Sequence, residues 1–369
     1  MQLLKYSLSP VKNFISRFWK LPITLNGSVK IFRSDLLKIL ANWQIGPVNS
    51  LNRLSGGSNT NWLVKTSSGD YVLRQAGTNR DYLEFQIFII NKLKTSTFPY
   101  ATPQLIATEG SYYISYQDHL WLLYRFIEGS SLKTIYNSQA HEMGRLVASY
   151  HQIAQTIDYS HLGDFSLALF ETERIKAIFQ ESTQTISGKK SCSPLEDLLA
   201  GSITSLLEAY NHISSADKRS IKHLEKIPIY NDWYSHNILS VQEKIIGLID
   251  FDSLVVAPRI VDIQNGLFYA AATNQGLDLS KMQAFIQGYC SVLPLSQFEL
   301  SLIYPLMIER VATIISDLLA QKNVKNNSAK DDILIFLIKA LTWIIENKQS
   351  FTRHLLREAS NLPREASNL

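Results

Sequence analysis

The chain has 369 residues and a formal net charge of +4, enough length for two lobes around a cleft and too little positive charge for nucleic acid to be the default partner. Its two cysteines, Cys192 and Cys290, lie far apart without a neighbouring histidine cluster, which suggests neither a disulfide framework nor a zinc knuckle. No apolar run approaches the roughly 20 residues that cross a bilayer, and no secretory signal pattern opens the chain. A membrane span is therefore not expected, and a reducing cytoplasm is the expected setting.

Residues 1–30 carry Lys5, Lys12, Arg17 and Lys20 among Phe14, Ile15, Phe18 and Trp19. The pattern admits a weak interfacial helix or a targeting peptide. A loosely packed N-terminal extension is the reading preferred here. From Ile31 to Trp43 the apolar residues recur at helical spacing, and then the period changes to two. Ser50–Leu54, Thr60–Thr66 and Tyr71–Gln75 read as strands, with Ser67 to Asp70 as a turn. Arg80–Leu93 reads as an amphipathic helix. Three more strands are expected at Gln104–Thr108, Ser111–Tyr116 and Leu120–Phe126, the last pair turning at Gln117 to His119. Residues 31–128 thus form a mostly antiparallel sheet with one inserted helix.

Residues 129–350 are expected to be helical, at Ala140–Ala154, Glu171–Phe179, Leu195–Tyr210, Ile260–Ala272, Leu279–Cys290, Phe298–Leu319 and Ile333–Asn347. Thr183–Ser193, rich in polar residues, reads as an exposed loop. A hairpin interrupts the helices, Ile238–Val241 and Lys244–Ile249 around a turn at Gln242 and Glu243. Residues 351–369, with REASNL written twice, read as a solvated tail. The expected fold is therefore α+β and bilobal, an antiparallel sheet lobe followed by a helical lobe, with a cleft at the crossing Leu122–Gly129.

The informative stretch is IYNDWYSHNIL followed by IIGLIDFD. It places Asp232 and Asn237 in one loop and Asp250 at the end of the hairpin. Phosphoryl transfer needs a carboxylate beside the attacking hydroxyl and hard oxygen ligands for a divalent cation against the ATP phosphates. Singly, Asp and Asn at such places serve turns and caps. Together, in this order, they fit that chemistry.

These residues resemble the aminoglycoside phosphotransferase and choline kinase superfamily, which has a protein-kinase-like fold and includes the second type of homoserine kinase. The family's His-x-Asp loop, later Asn, Ile-Asp-Phe strand end and Pro-Arg-x-x-Asp helix start are matched by Tyr230-Asn231-Asp232, Asn237, Ile249-Asp250-Phe251 and Pro258-Arg259-Ile260-Val261-Asp262. The resemblance implies Asp232 as catalytic base, Asn237 and Asp250 as magnesium ligands, and Asp262 as a brace for the loop. It also implies a nucleotide-covering loop at Gly56, Gly57, Ser58 and Asn59, a phosphate-binding cation at Arg74 whose helix partner is either Gln86, on the inward stripe, or Glu84, which has the family's charge but faces elsewhere, and an adenine-reading hinge through Tyr124, Phe126 and Ile127. ATP and Mg2+ would be the cofactors and a small molecule the acceptor. The helix segment Gly144 to His151 also matches the family, with His151 expected as a packed residue.

Three departures stand out: Tyr230 for His, Arg74 for Lys and Gln86 for Glu. Tyr230 is expected to fill the volume of the histidine and keep one polar contact. His236 and Asp252 are possible acceptor contacts. A nucleotide-binding pseudokinase or scaffold is the alternative these departures motivate. A protein kinase is disfavoured because no Ala-Pro-Glu element follows Asp250. Acids and bases nearly balance from Asp262 onward, so the acceptor is expected to be small and not polycationic, an amino acid or amino alcohol. Asn265, Tyr269, Asn274, Tyr304, Glu309, Arg310 and Asp317 are the scattered polar candidates for contacting it.

Overall fold

A computed structural model describes residues 31–54, 60–187, 193–213, 215–322 and 328–359. The expected extension 1–30, the glycine loop at Gly56, Gly57, Ser58 and Asn59, and most of the REASNL repeat lie outside the described residues.

Helix α1 (Arg33–Leu40) precedes strands β1 (Val48–Leu54), β2 (Thr60–Thr66) and β3 (Gly69–Ala76). Helix α2 (Arg80–Thr95) follows, then β4 (Gln104–Leu105), β5 (Tyr113–Tyr116) and β6 (His119–Arg125). The sheet order is β1-β2-β3-β6-β4, with β5 paired on β6 and every pairing antiparallel. Strand β6 reads as a nearly continuous apolar run because both its faces are covered. Leu120 and Leu122 join the core with α2, whereas Trp121 and Leu123 pack with α1 and Trp62. Gln117 and Asp118, with φ of 48° and 58°, make the tight turn expected between β5 and β6.

The remainder is mostly helical. Strand β7 (Ser130–Ser131) leads to helices α3 (Asn137–Ala154), α4 (Thr172–Ser187), α5 (Pro194–Asn211) and α6 (Ser215–His223). Four short strands follow, β8 (Lys226–Ile229), β9 (Ile238–Val241), β10 (Lys244–Leu248) and β11 (Val255–Pro258), then helix α7 (Arg259–Ala271). A small hairpin, β12 (Ala272–Thr273) and β13 (Gly276–Leu277), precedes helices α8 (Leu279–Cys290), α9 (Gln297–Lys322), α10 (Ser328–Glu346) and α11 (Lys348–Ala359). No helix among the described residues is long and apolar enough to cross a membrane.

Helices α3 and α8 cross at backbone contact. A Cβ on Gly144 would lie 2.0 Å from Phe285 O, and one on Gly288 would lie 1.8 Å from His141 O. The two glycines bring His151 close enough for its ring to bond Tyr289 on α8.

Two segments read as loop and tail from the sequence are helical in the structure. Within Thr183–Ser193, α4 continues to Ser187, and Ser193 opens α5 through a reciprocal capping box with Glu196. Residues 351–359, expected in a solvated tail, belong to α11. Its Phe351 and Leu355, one helical turn apart, are buried against the core.

Candidate active site

The site is framed by strand pairing. Strand β8 pairs with β11 and β9 pairs with β10, so the loop 230–237 and the loop 249–254 are held opposite each other from both ends. Two bonds tie them together. The Ile249 amide donates to Asn237 O at 2.9 Å, and the Tyr230 hydroxyl donates to Ile249 O.

Asp262, at the start of α7, braces the first loop. Its Oδ2 accepts from Tyr230 N at 2.8 Å and its Oδ1 from Asn231 N at 2.7 Å. His151 Nε2 lies 3.1 Å from Asp262 Oδ2, and its Nδ1 lies 2.8 Å from the Tyr289 hydroxyl. Burial holds the His151 ring below the ordinary imidazole value, so it is neutral. Its Nε2 then donates to Asp262 and its Nδ1 accepts from Tyr289. The bracing role expected of Asp262 has this geometry behind it, and the packed His151 contributes to it.

Asn231 adopts φ of 61° and Asp250 φ of 65°, the left-handed region that L-residues rarely enter. Asn231 is held there by Asp262 and by Asn265, whose Nδ2 donates to Asn231 Oδ1 at 2.9 Å. Such backbone costs about 1 kcal/mol or more per residue and persists where surrounding bonds enforce it.

Asp232 is fully buried, and its backbone carbonyl accepts from Asn237 Nδ2 at 3.1 Å. That bond commits the amide nitrogen and leaves the Asn237 amide oxygen as a possible ligand beside Asp250. Tyr230 sits at the centre. Its ring packs 4.7 Å from Trp233 and 5.2 Å from Phe251 between centroids. Burial raises its phenol well above the usual value, and Asp232, Asp250, Asp252 and Asp262 push it further in the same direction. The phenol is therefore protonated and serves as a donor, the structural part expected of it.

Arg74, on β3, crosses to the second loop. Its Nη2 lies 3.0 Å from Asp250 Oδ1 and also bonds Asp252 Oδ2. Burial weakens the charged form of this guanidinium, but Asp252 and Asp250 outweigh it and hold it charged. The expected Arg74–Gln86 bond gives way to these carboxylates. Gln86 is buried on α2, one turn after Tyr82. Asp252, expected as a possible acceptor contact, faces Arg74.

Sequence reasoning missed Tyr82. Its hydroxyl donates to Asp252 O at 2.7 Å and to Leu254 O at 2.9 Å, pinning α2 to the loop after Asp250. The available signal was its position one turn before Gln86 on the same helix face.

At the crossing, Tyr124 pairs with Val72 and Leu105 across the sheet. The Phe126 amide donates to Asp70 O at 2.9 Å, so that N–H is committed within the protein. Phe126 and Ile127 are both half-buried. His236 stacks on Tyr234, centroids 4.7 Å apart and planes 8° apart, and lines a cavity beside the loop. Of the scattered polar candidates, Tyr269 and Asn274 also line that cavity. Asn265 serves Asn231, Glu309 accepts from Phe170 N, Asp317 pairs with Arg174, and Tyr304 packs on Phe351. Arg310 is buried.

Two carboxylates, Asp250 and Asp252, share the single Arg74 guanidinium, and Asp232 joins them in the field at Tyr230, a balance that suits an added cation. Among the described residues no group of three or more His, Cys, Asp or Glu side chains stands at metal-holding separation. Magnesium asks for less, since it uses one or two protein oxygens and completes its shell with waters and phosphates. Asp250 and the Asn237 amide oxygen fit that donor set.

The fold agrees with that of known proteins. Spectinomycin phosphotransferase in complex with ADP and spectinomycin superimposes with a TM-score of 0.65 at 15% identity, over 87% of this chain and 99% of that one. A microcompartment-associated aminopropanol kinase gives 0.66 at 14% identity, over 87% and 99%. An amicoumacin kinase in complex with AMP-PNP, Ca2+ and its ligand gives 0.59 at 16% identity, over 86% and 94%. No curated protein sequence matches the chain. Residues 51–295, well over half of the chain, match the model of the phosphotransferase enzyme family, APH, and the chain belongs to that family.

Proposed function

We propose that this protein is a magnesium-dependent kinase that transfers the γ-phosphate of ATP to a hydroxyl or amine of a small-molecule metabolite. The observation that supports the reading is the tie between loops 230–237 and 249–254: Asn237 bonds the Asp232 carbonyl and accepts from the Ile249 amide, one residue before Asp250. Resemblance in fold to small-molecule kinases seen with ADP or AMP-PNP supports it.

In this mechanism Asp232 orients the acceptor and takes its proton as the acceptor oxygen or nitrogen attacks the γ-phosphorus. The bond from that phosphorus to the β-phosphate oxygen breaks, and ADP leaves. Arg74 contributes fixed positive charge near the phosphates. A magnesium ion held by Asp250 and Asn237 would neutralise phosphate charge as it develops. Tyr230, Asp262 and His151 keep the loop in its strained shape, and the hinge segment through Ile127 is the assigned adenine contact.

A nucleotide-binding scaffold without turnover is the second reading. One observation favours it: Arg74 engages both Asp250 and Asp252, which competes with a metal for Asp250. Release of ADP from ATP and magnesium, measured against a panel of acceptors, separates the two. Acceptor-dependent ADP release that falls about a hundredfold or more in Asp232→Asn, the scale of a general base, supports the kinase. Tight nucleotide binding with no release under any acceptor would move the protein to the scaffold class.

A further inference from the structure

Beside the loop 230–237 lies a cavity of about 870 Å³, within the range of small-molecule sites. Its wall is largely apolar, with Leu132, Ile135, Ala270 and Ala272 contributing. No Asp or Glu lines it, and its charged side chains are Lys133 and Lys281. Lys281 shares Asp278, with Nζ to Oδ2 at 3.7 Å. Lys133, which is exposed, has no acidic partner among the described residues.

Two polar features of the cavity belong to the loop that carries Asp232. Ser235 is 2% exposed and lines the cavity, and its hydroxyl has no hydrogen-bond partner among the described residues. A buried hydroxyl in that state carries a desolvation cost that a polar group of a ligand removes. His236 is fixed by its stack on Tyr234 and by Ser131, whose Oγ donates to the His236 carbonyl at 2.9 Å.

From this we infer that the acceptor is an anion: a hydroxylated compound with a compact apolar body and a carboxylate or phosphate group. The anionic group pairs with Lys133, with Lys281 as a second cation, while its hydroxyl lies at the Ser235 end, on the loop that carries Asp232. An ammonium group would meet like charge there and gain no acid in return. The inference rests on the kinase reading for its direction of transfer and selects acids over amino alcohols as acceptors.

The test is a matched panel at fixed AMP-PNP and magnesium, read as melting-temperature shift, with ATP consumption measured in parallel. Glycerate and glycerol phosphate are compared with glycerol and serinol, and mandelate with phenylethanolamine and phenyl glycol. The expected result is stabilisation by the anionic member of a set alone, with glycerate and glycerol phosphate separating carboxylate from phosphate. For that acceptor, Lys133→Met should raise KM at least tenfold with kcat within about threefold, and Lys133→Arg should restore KM. Stabilisation by amines or neutral alcohols as strong as by anions, no anion binding at all, or an unchanged KM in Lys133→Met would overturn the inference. Anion binding that depends on Lys133 without ATP consumption would leave the inference standing and count against the kinase reading.

Discussion

Arg74 and Asp250 meet across the cleft, Nη2 to Oδ1 at 3.0 Å, and the same guanidinium also binds Asp252. One side chain of the sheet thereby joins the loop that carries the assigned metal ligand. The Arg74 side chain is only 9% exposed, so removing it takes a cation away from the buried Asp252 and the half-buried Asp250. Arg74→Met should cost about 3 kcal/mol or more in chemical denaturation, the scale of breaking a buried pair from one side. Arg74→Lys restores the charge but not the fork and should recover only part of that loss. A loss under 1 kcal/mol for Arg74→Met would show that the pair contributes little.

Tyr230 should behave as a strut. Tyr230→Phe removes the bond to Ile249 O and should cost about 1 kcal/mol of stability. Tyr230→His keeps a ring and a polar atom, and turnover should stay within about tenfold of the parent. A loss of three orders of magnitude with nucleotide affinity retained would make Tyr230 a participant in the proton transfer.

His151 gives the fold a pH dependence of known sign. Burial lowers its value in the folded state, so below about 6.5 the unfolded chain binds a proton that the folded chain refuses. Stability tied to neutral His151 is present above that pH and is lost as pH falls toward the folded value. The groups facing the ring are Asp262, Tyr289, Arg259 and Glu299. Unfolding free energies at several pH values between 5 and 8 should fall more steeply with acid in the parent than in His151→Gln. Equal slopes would remove His151 from the account.

The crossing of α3 and α8 should not tolerate a methyl group. With a Cβ on Gly288 only 1.8 Å from His141 O, the two backbones must part. Gly288→Ala should lose about 2 kcal/mol or more, above the usual helix-propensity gain of Gly to Ala. Gly201, on α5 with open space around its missing side chain, serves as control, and Gly201→Ala should not destabilise.

The sequence carried most of the site because its parts are local. The segment from Tyr230 to Asp262 holds the loop, the hairpin and the brace in one stretch, and the turn at Gln242 and Glu243 forms as its composition suggests. Partner choice was harder to see. Arg74 prefers Asp250 and Asp252 to Gln86 because the approach of two distant segments decides it, and spacing along one helix carries no record of that approach. Strands β8 and β11 were not expected because each is four residues long and almost wholly buried, without the alternation that marks a strand. Helix α11 showed its pair, Phe351 and Leu355, at helical spacing, but the repeated REASNL beyond it drew the whole segment into a tail. The cavity cations Lys133 and Lys281 come from separate elements, and no motif links them.

The account turns on the division of labour between Asp250, assigned to the metal, and Asp232, assigned to the proton. The most direct measurement is the magnesium-dependent rise in melting temperature of the ATP-bound protein, taken as a difference within each variant so that altered baseline stability cancels. Ligand that binds only the folded state raises its stability by mass action. The parent and Asp232→Asn should both show the magnesium-dependent rise, and Asp250→Ala should lose it. A full rise in Asp250→Ala, or its loss in Asp232→Asn alone, would contradict the assignment.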